Sequence, residues 1–94
     1  MMTSPVAGID PHQDTLTVGV VDSNGVELAR EVFPTTSSGY FAVIDMLTTH
    51  GVIQVGIEGS ASWGAHAAIA LVGAGFDCRE VPAQRSAMQR RSRR

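Results

Sequence analysis

Two acidic residues end two apolar segments of this 94-residue chain, and the same two residues precede each acid. The segments end in Gly8-Ile9-Asp10 and in Gly56-Ile57-Glu58. Side chains alternate along a strand, so each glycine shares a face with the acid two positions later. On parallel neighbouring strands, about 4.8 Å apart, two such carboxylates can hold one cation or bridge two. The glycines would leave room for a bulky anionic substrate.

Mg²⁺ is the cation that suits such a pair. It prefers a few carboxylates together with water and substrate phosphate oxygens over a full cage of protein ligands. Zinc suits the sequence less well, because His12, His50 and His66 have no recognisable ligand spacing. Each acid alone also has a structural interpretation, Asp10 as a turn residue and Glu58 as a partner of a helix N-terminus. Their occurrence as a pair favours catalytic metal ligands.

The remaining elements must bring the two acids together. Hydrophobic patterning predicts five strands, the first ending near Asp10 and the fourth covered on both faces. The predicted strands are Val6 to Ile9, Thr15 to Val21, Val26 to Phe33, Val52 to Ile57 and Asp77 to Val81. The turn residues Asp22 to Gly25 join the second strand to the third as a hairpin.

Two helices are predicted between these strands. The first follows N-cap candidates at 35–38 and ends at Gly51, and the second runs from about Trp63 to Ala74. The apolar face of the first comprises Phe41, Ile44 and Met46 or Leu47, and Ala65, Ala68, Ile69 and Val72 of the second are core or interface residues. The order is therefore β-β-β-α-β-α-β, an α/β fold. Right-handed crossovers favour strand order 3-2-1-4-5, in which the first and fourth strands are neighbours.

Charge is unevenly distributed along the chain. Residues 1–84 contain all nine acidic residues but only Arg30 and Arg79, whereas the last ten residues contain five arginines. Those five are Arg85, Arg90, Arg91, Arg93 and Arg94. Such a segment indicates a polyanionic partner, and a solvated terminus is the competing interpretation. We therefore divide the chain into a domain over 1–84 and a basic tail over 85–94, where a truncated helix would begin.

Composition also bounds the class of protein. The single cysteine, Cys78, excludes an intrachain disulfide and a CxxC metal site, which is typical of a reducing compartment. Residues 1–10 have no basic or apolar region of a secretory signal. The longest apolar run, 67–76, is shorter than the roughly 18 residues of a membrane span. We expect a cytoplasmic protein without a membrane partner.

Several segments together resemble one protein family. They are Gly8 to Thr15, the hairpin Val21 to Gly25, Phe33 to Thr36, Glu58 to Gly64 and the basic end. In this combination the chain is similar to the N-terminal domain of DEDD transposases of the insertion sequence 110 family. One departure is Gln13, where a lysine often follows the histidine in that family, and this weakens any phosphate-binding role for the loop.

The resemblance implies a RuvC-like fold of the ribonuclease H class and Mg²⁺-dependent cleavage and rejoining of DNA, helped by an element-encoded guide RNA. Asp10 matches the first acid of the family and Glu58 the second. The family's two further aspartates are expected beyond Arg94, and its C-terminal domain with a serine nucleophile is not matched. The 94 residues alone are therefore expected to be inactive, and homo-oligomers are expected only of a full-length parent.

Three further residues have both a functional and a structural interpretation. His12 could contact a phosphate or be a solvated loop residue, and Trp63 could stack on a base or pack in the core. Asp14 could be a third ligand, although capping of the loop before the second strand is favoured. With the tail arginines, His12 and Trp63 complete the set of candidate nucleic-acid contacts.

Other functions remain open at this level. A Holliday-junction resolvase also suits Gly8 to Pro11 but fits Glu58 to Gly64 less well. An actin-like or sugar-kinase ATPase would use glycine and hydroxyl residues in its first hairpin loop, where this chain has Pro11 to Gln13. A non-enzymatic nucleic-acid-binding fragment would act only through its arginines.

Overall fold

Five strands form one mixed sheet in a computed structural model that describes residues 4–59 and 64–81. The elements are β1 (Val6–Pro11), β2 (Thr15–Val21), β3 (Glu27–Pro34), α1 (Ser37–Thr49), β4 (Gln54–Glu58), α2 (Ala65–Gly73) and β5 (Asp77–Val81). The strand order is β3-β2-β1-β4-β5. β1 pairs antiparallel with β2 and parallel with β4, as the crossover argument requires. The predicted element order and strand order are therefore confirmed.

The first hairpin is held by one side chain. Oδ1 of Asp22 accepts hydrogen bonds from the backbone N–H groups of Asn24 and Val26, both at 2.9 Å. Gly25 has a φ of 83°, which glycine adopts without strain. The predicted turn is confirmed, and its short-range chemistry explains why sequence alone could locate it.

Helix α1 begins at a side-chain cap. Oγ1 of Thr36 accepts a hydrogen bond from the N–H of Gly39 at 3.1 Å. The helix ends where His50 bonds the carbonyl of Met46 and Gly51 takes a φ of 72°. Helix α2 begins instead at Gly64, which supplies no side-chain cap.

Both helices pack on one face of the sheet and contact each other. Alternate residues of the central strands supply the strand side of this core, as expected for strands with a period of two. The strand residues are Ala7, Ile9, Leu16, Val18, Val20, Phe33, Val55 and Ile57, and the helices add Val43, Met46, Leu47, Ala67 and Leu71. Neither helix is long and apolar enough to cross a membrane, a finding that covers residues 4–59 and 64–81 only.

One prediction for the helix faces is wrong, and another is narrowed. Phe41 is 72% exposed, because it lies two residues, about 200°, around α1 from the buried Gly39 and Val43. Ile69 and Val72 are exposed on the outer side of α2, so of the two predicted roles, core or interface, only an interface remains for them. Met46 and Leu47 are buried as predicted, and Ile44 is partly buried against the core.

The ends and covering of the central strands also differ from the prediction. β1 continues through Pro11, which lies opposite Leu16 at the end of the ladder, where a missing N–H is tolerated. β4 was expected to be covered on both faces, but both described helices lie on one face. The described residues of β4 alternate accordingly, with Val55 and Ile57 buried and Gln54 exposed.

Candidate metal site on the open sheet face

The sheet face opposite the two helices, here called the open face, contains both candidate acids. It is lined by residues of all five strands around a cavity of about 660 Å³. Asp10 and Glu58 both line this cavity, as do Gly8 and Gly56. The alternation of side chains explains this, since the buried Ile9 and Ile57 point to the helices and the residues beside them point away.

The register of β1 and β4 determines how the acids face each other. Gly8 lies opposite Gly56 and Ile9 lies opposite Ile57. The next residues on the two parallel strands are Asp10 and Glu58. They therefore follow in register at the carboxyl ends of neighbouring strands, the edge where α/β sheets bind ligands. The repeated glycine, isoleucine and acid of the sequence thus occupies matching positions in space.

Each acid has a distinct environment. Asp10 is exposed, and its Oδ2 lies 3.4 Å from Nε2 of His12, whose side chain is also more than half exposed. Glu58 is half-buried. Within residues 4–59 and 64–81, no group of three or more histidine, cysteine or acidic side chains could hold a metal ion.

Cross-strand pairing arranges the open face in rows. Asp10 lies opposite Thr17, Thr17 opposite Val32, and Glu58 opposite Val81. We call this line of residues, from β3 to β5, the acid row. The next line contains Arg30, Gly19, Gly8, Gly56 and Arg79, each opposite its neighbour, and is called the glycine row. All five of its residues line the same cavity as the acids.

The two arginines of the glycine row were not predicted from the sequence as part of the site. Nη2 of Arg30 lies 2.7 Å from Oε2 of Glu27, and Nη2 of Arg79 lies 3.3 Å from Oδ2 of Asp77. Both are exposed pairs, which stabilise a fold little. The only signal that could have placed them beside the glycines is the strand register, which is a tertiary property.

The structure does not describe the other predicted contacts. Trp63 and the arginines of the tail, Arg85, Arg90, Arg91, Arg93 and Arg94, lie outside the described residues. The structure therefore brings together Asp10, Glu58 and His12 of the predicted site.

Comparison with solved structures identifies the fold class. The chain is similar to RuvC of T. thermophilus, whose structure was solved in complex with a Holliday junction substrate. The TM-score is 0.68 at 21% sequence identity, over 87% of this chain and 66% of the RuvC chain. The sheet is therefore a RuvC-like, ribonuclease-H-like fold, and the chain spans less than two thirds of that RuvC chain.

Sequence comparison then identifies the family. The family model for DEDD transposases of the insertion sequence 110 type, described as "Transposase", matches residues 7–94. This chain belongs to that transposase family. No curated protein matches it.

Proposed function

We propose that this chain supplies the first two carboxylate ligands of a Mg²⁺-dependent transposase active site, which cleaves and rejoins DNA. The observation that supports this most directly is the position of Asp10 and Glu58. They follow in register on neighbouring parallel strands and line one open cavity. A structural role as turn or helix-end residues would not require both to share this face.

The donor set fits Mg²⁺. Two carboxylate side chains on an exposed face leave the rest of an octahedral coordination shell to water and to substrate phosphate oxygens, an arrangement that Mg²⁺ commonly adopts. Gly8 projects no side chain beside Asp10, and a Cβ there would meet no described atom within 4 Å, so a phosphodiester can approach Asp10 from this side. When bound, the metal would supply Lewis-acid stabilisation of the attacking and leaving oxygens.

The chain's own residues have the task of positioning. Asp10 and Glu58 would orient the metal from the floor of the cavity, because their strands are fixed by pairing on both sides. His12 stands next to Asp10 on the solvent side, where it can donate a hydrogen bond to a phosphate oxygen of the substrate. Two acids rarely hold two Mg²⁺ ions firmly, and the resemblance to the family implies two more aspartates beyond Arg94. We therefore expect no cleavage by the 94 residues alone.

DNA is the proposed partner. The chain belongs to a transposase family, and the basic tail provides phosphate-binding side chains. Trp63 would add base stacking, and an element-encoded guide RNA and homo-oligomers would involve the full-length parent. A cytoplasmic location is consistent with the single cysteine.

Binding of a paramagnetic ion tests the metal site directly. Mn²⁺, which has ligand preferences similar to those of Mg²⁺, is titrated into ¹⁵N-labelled chain while amide signals are followed. We expect selective broadening of the amides around residues 10 and 58 that excess Mg²⁺ reverses and that Asp10→Asn weakens. Asp45→Asn, an exposed acid on α1, is the matched control. Broadening that is unchanged by Asp10→Asn would reject the assignment, as would DNA cleavage that survives this substitution.

The tail is tested by the salt dependence of DNA binding. If all five tail arginines contact phosphates, log K against log salt has a slope of roughly −4.5, from about −0.9 for each contact. Replacement of the five arginines by serine should remove nearly all of that slope. Arg30→Ser, which removes an arginine already paired with Glu27, is the control and should change it little. A slope retained without the tail arginines would contradict their role.

A further inference from the structure

The pairing of β1 with β4 stops just before the two acids. Ile9 lies opposite Ile57, and this is the last pair of the ladder between these strands. Beyond this pair, Asp10 continues along β2 and Glu58 continues along β5. Contacts beyond the end of the β1–β4 ladder therefore contribute to the separation of the two acids.

Gly64, the residue before α2, is buried at the end of this ladder. A Cβ on Gly64 would lie 2.9 Å from Cγ2 of Ile57, 3.1 Å from the carbonyl oxygen of Gly59 and 3.2 Å from Cγ of Pro11. Carbon atoms in ordinary contact are about 3.5–4.0 Å apart, so all three approaches are too close for a side chain. The absence of a side chain at this position is what allows the contact.

The three residues that Gly64 contacts are the sequence neighbours of the acids. Pro11 directly follows the acid of β1, and Ile57 and Gly59 directly precede and follow the acid of β4. The N–H of Gly64 also donates a hydrogen bond to the carbonyl of Gly59 at 3.1 Å. Pro11 and Ile57 are both buried on the side of the sheet that the helices cover. The start of α2 is thus packed against both strands that carry the acids.

Space, and not backbone conformation, explains the glycine at this position. Gly64 has a φ of −83° and a ψ of −1°, values that other residues also adopt in turns. Gly59, in contrast, has a φ of 67°, which favours glycine for conformational reasons. A substitution at Gly64 therefore changes the packing of α2 on the strand ends without forcing a strained backbone.

We propose that Gly64 is a positioning residue for the acid pair. Because it has no side chain, the start of α2 closes against the ends of β1 and β4 and sets the distance between the carboxylates of Asp10 and Glu58. A larger residue must displace either α2 or one of the strand ends, since a packed core has no room for an added methyl group. The consequence for metal binding rests on the proposed function, whereas the consequence for the strand ends does not.

The substitution Gly64→Ala tests this role in the 94-residue chain. Mn²⁺ affinity is measured from the broadening of the amide signals around residues 10 and 58. We expect binding to weaken about tenfold, because residues that orient metal ligands typically contribute about 10- to 100-fold to affinity. Nuclear Overhauser effects between the backbone protons of residues 10 and 58 report the separation of the acids without metal, and they should also weaken.

Two other glycines provide matched controls. Gly73→Ala adds a Cβ to the same helix, where it meets no described atom within 4 Å, and should change neither measurement. Gly39→Ala overlaps the carbonyl oxygen of Pro34 at the contact of α1 with β3. It should lower the melting temperature and leave both measurements at residues 10 and 58 unchanged, which separates a loss of stability from a loss of positioning.

A second variant decides the question if Gly64→Ala does not fold. Pro11→Ala removes Cγ from the same contact without adding an atom, so it cannot overfill the core. It should likewise weaken Mn²⁺ binding and the Overhauser effects between residues 10 and 58. Wild-type values of both in this variant would then overturn the proposal.

Results for a folded Gly64→Ala variant are decisive in either direction. The proposal is overturned if this variant keeps the wild-type Mn²⁺ affinity or the wild-type Overhauser effects, or if Gly39→Ala weakens binding equally. Absence of Mn²⁺ binding by the wild type would instead reject the proposed metal site. In that case the Overhauser effects alone would decide whether Gly64 positions the acids.

Discussion

The substitution Asp10→Asn should change the stability of this chain in opposite directions with and without Mg²⁺. Without metal, Asp10 and Glu58 are like charges in register on neighbouring strands. Two unit charges about 5 Å apart in water repel by about 0.8 kcal/mol, and directly opposed like charges destabilise sheets by about 0.2–1 kcal/mol. The contact of Asp10 with His12 offsets part of this repulsion whenever the histidine is protonated.

We therefore expect the variant to gain about 0.5 kcal/mol in the absence of metal, which raises the Tm of a domain of this size by about 2–4 °C. With Mg²⁺ at a hundred times its Kd, the wild type gains about 2.7 kcal/mol from ligand binding. The variant has lost one of the two carboxylates and should gain far less. The order of the two melting temperatures should consequently invert when Mg²⁺ is added.

Thermal unfolding followed by circular dichroism measures this inversion, with NaCl replacing MgCl₂ at equal ionic strength in the metal-free samples. Asp45→Asn removes an exposed charge from α1, on the opposite side of the sheet. This control should leave the difference between the melting temperatures with and without Mg²⁺ unchanged. The reasoning is refuted if Asp10→Asn keeps the full stabilisation by Mg²⁺. It is also refuted if the variant is the less stable protein without metal.

Two further predictions concern the fold. Gly39→Ala should destabilise the chain by about 1–3 kcal/mol in urea unfolding, because the added Cβ would overlap the carbonyl oxygen of Pro34. Gly73→Ala, in open space on α2, should be neutral or stabilising by up to about 1 kcal/mol. Equal effects of Gly39→Ala and Gly73→Ala on the free energy of unfolding would contradict the packing of α1 on β3. Burial raises the pKa of the Cys78 thiol, and the neighbouring Asp77 carboxylate raises it further. Less thiolate is then present at mildly alkaline pH, so iodoacetamide should alkylate Cys78 more slowly than it alkylates the cysteine of an unstructured peptide. Asp77→Asn should speed the alkylation of Cys78. An unchanged rate in this variant would show that the assigned causes are wrong.

Local chemistry explains the features that sequence alone predicted correctly. The side chain of Asp22 makes the turn through its own neighbours, and Thr36 caps α1 three residues before Gly39. Neither interaction depends on distant parts of the chain. The order of the elements likewise follows from local sequence patterns. Given that order, crossover handedness makes β1 and β4 neighbours in most of the allowed arrangements.

The errors and the omissions have a common physical cause. Apolar residues occur on both sides of α1 and α2, so periodicity could not decide that Phe41 or Ile69 would face outward. Only packing against the sheet selects one stripe of a helix. Arg30 and Arg79 are far apart in sequence, and only the registers of four strand pairs put them at the two ends of one glycine row.

The sequence by itself determined the order of the elements, their caps and turns, and the repeated glycine, isoleucine and acid that indicated a paired site. The tertiary structure decided that the helices cover one face, which leaves the acids and three glycines together on the other. The reason is that alternation and capping act within a few residues. The choice of a buried face and the register of non-adjacent strands depend instead on the free energy of the whole packed sheet.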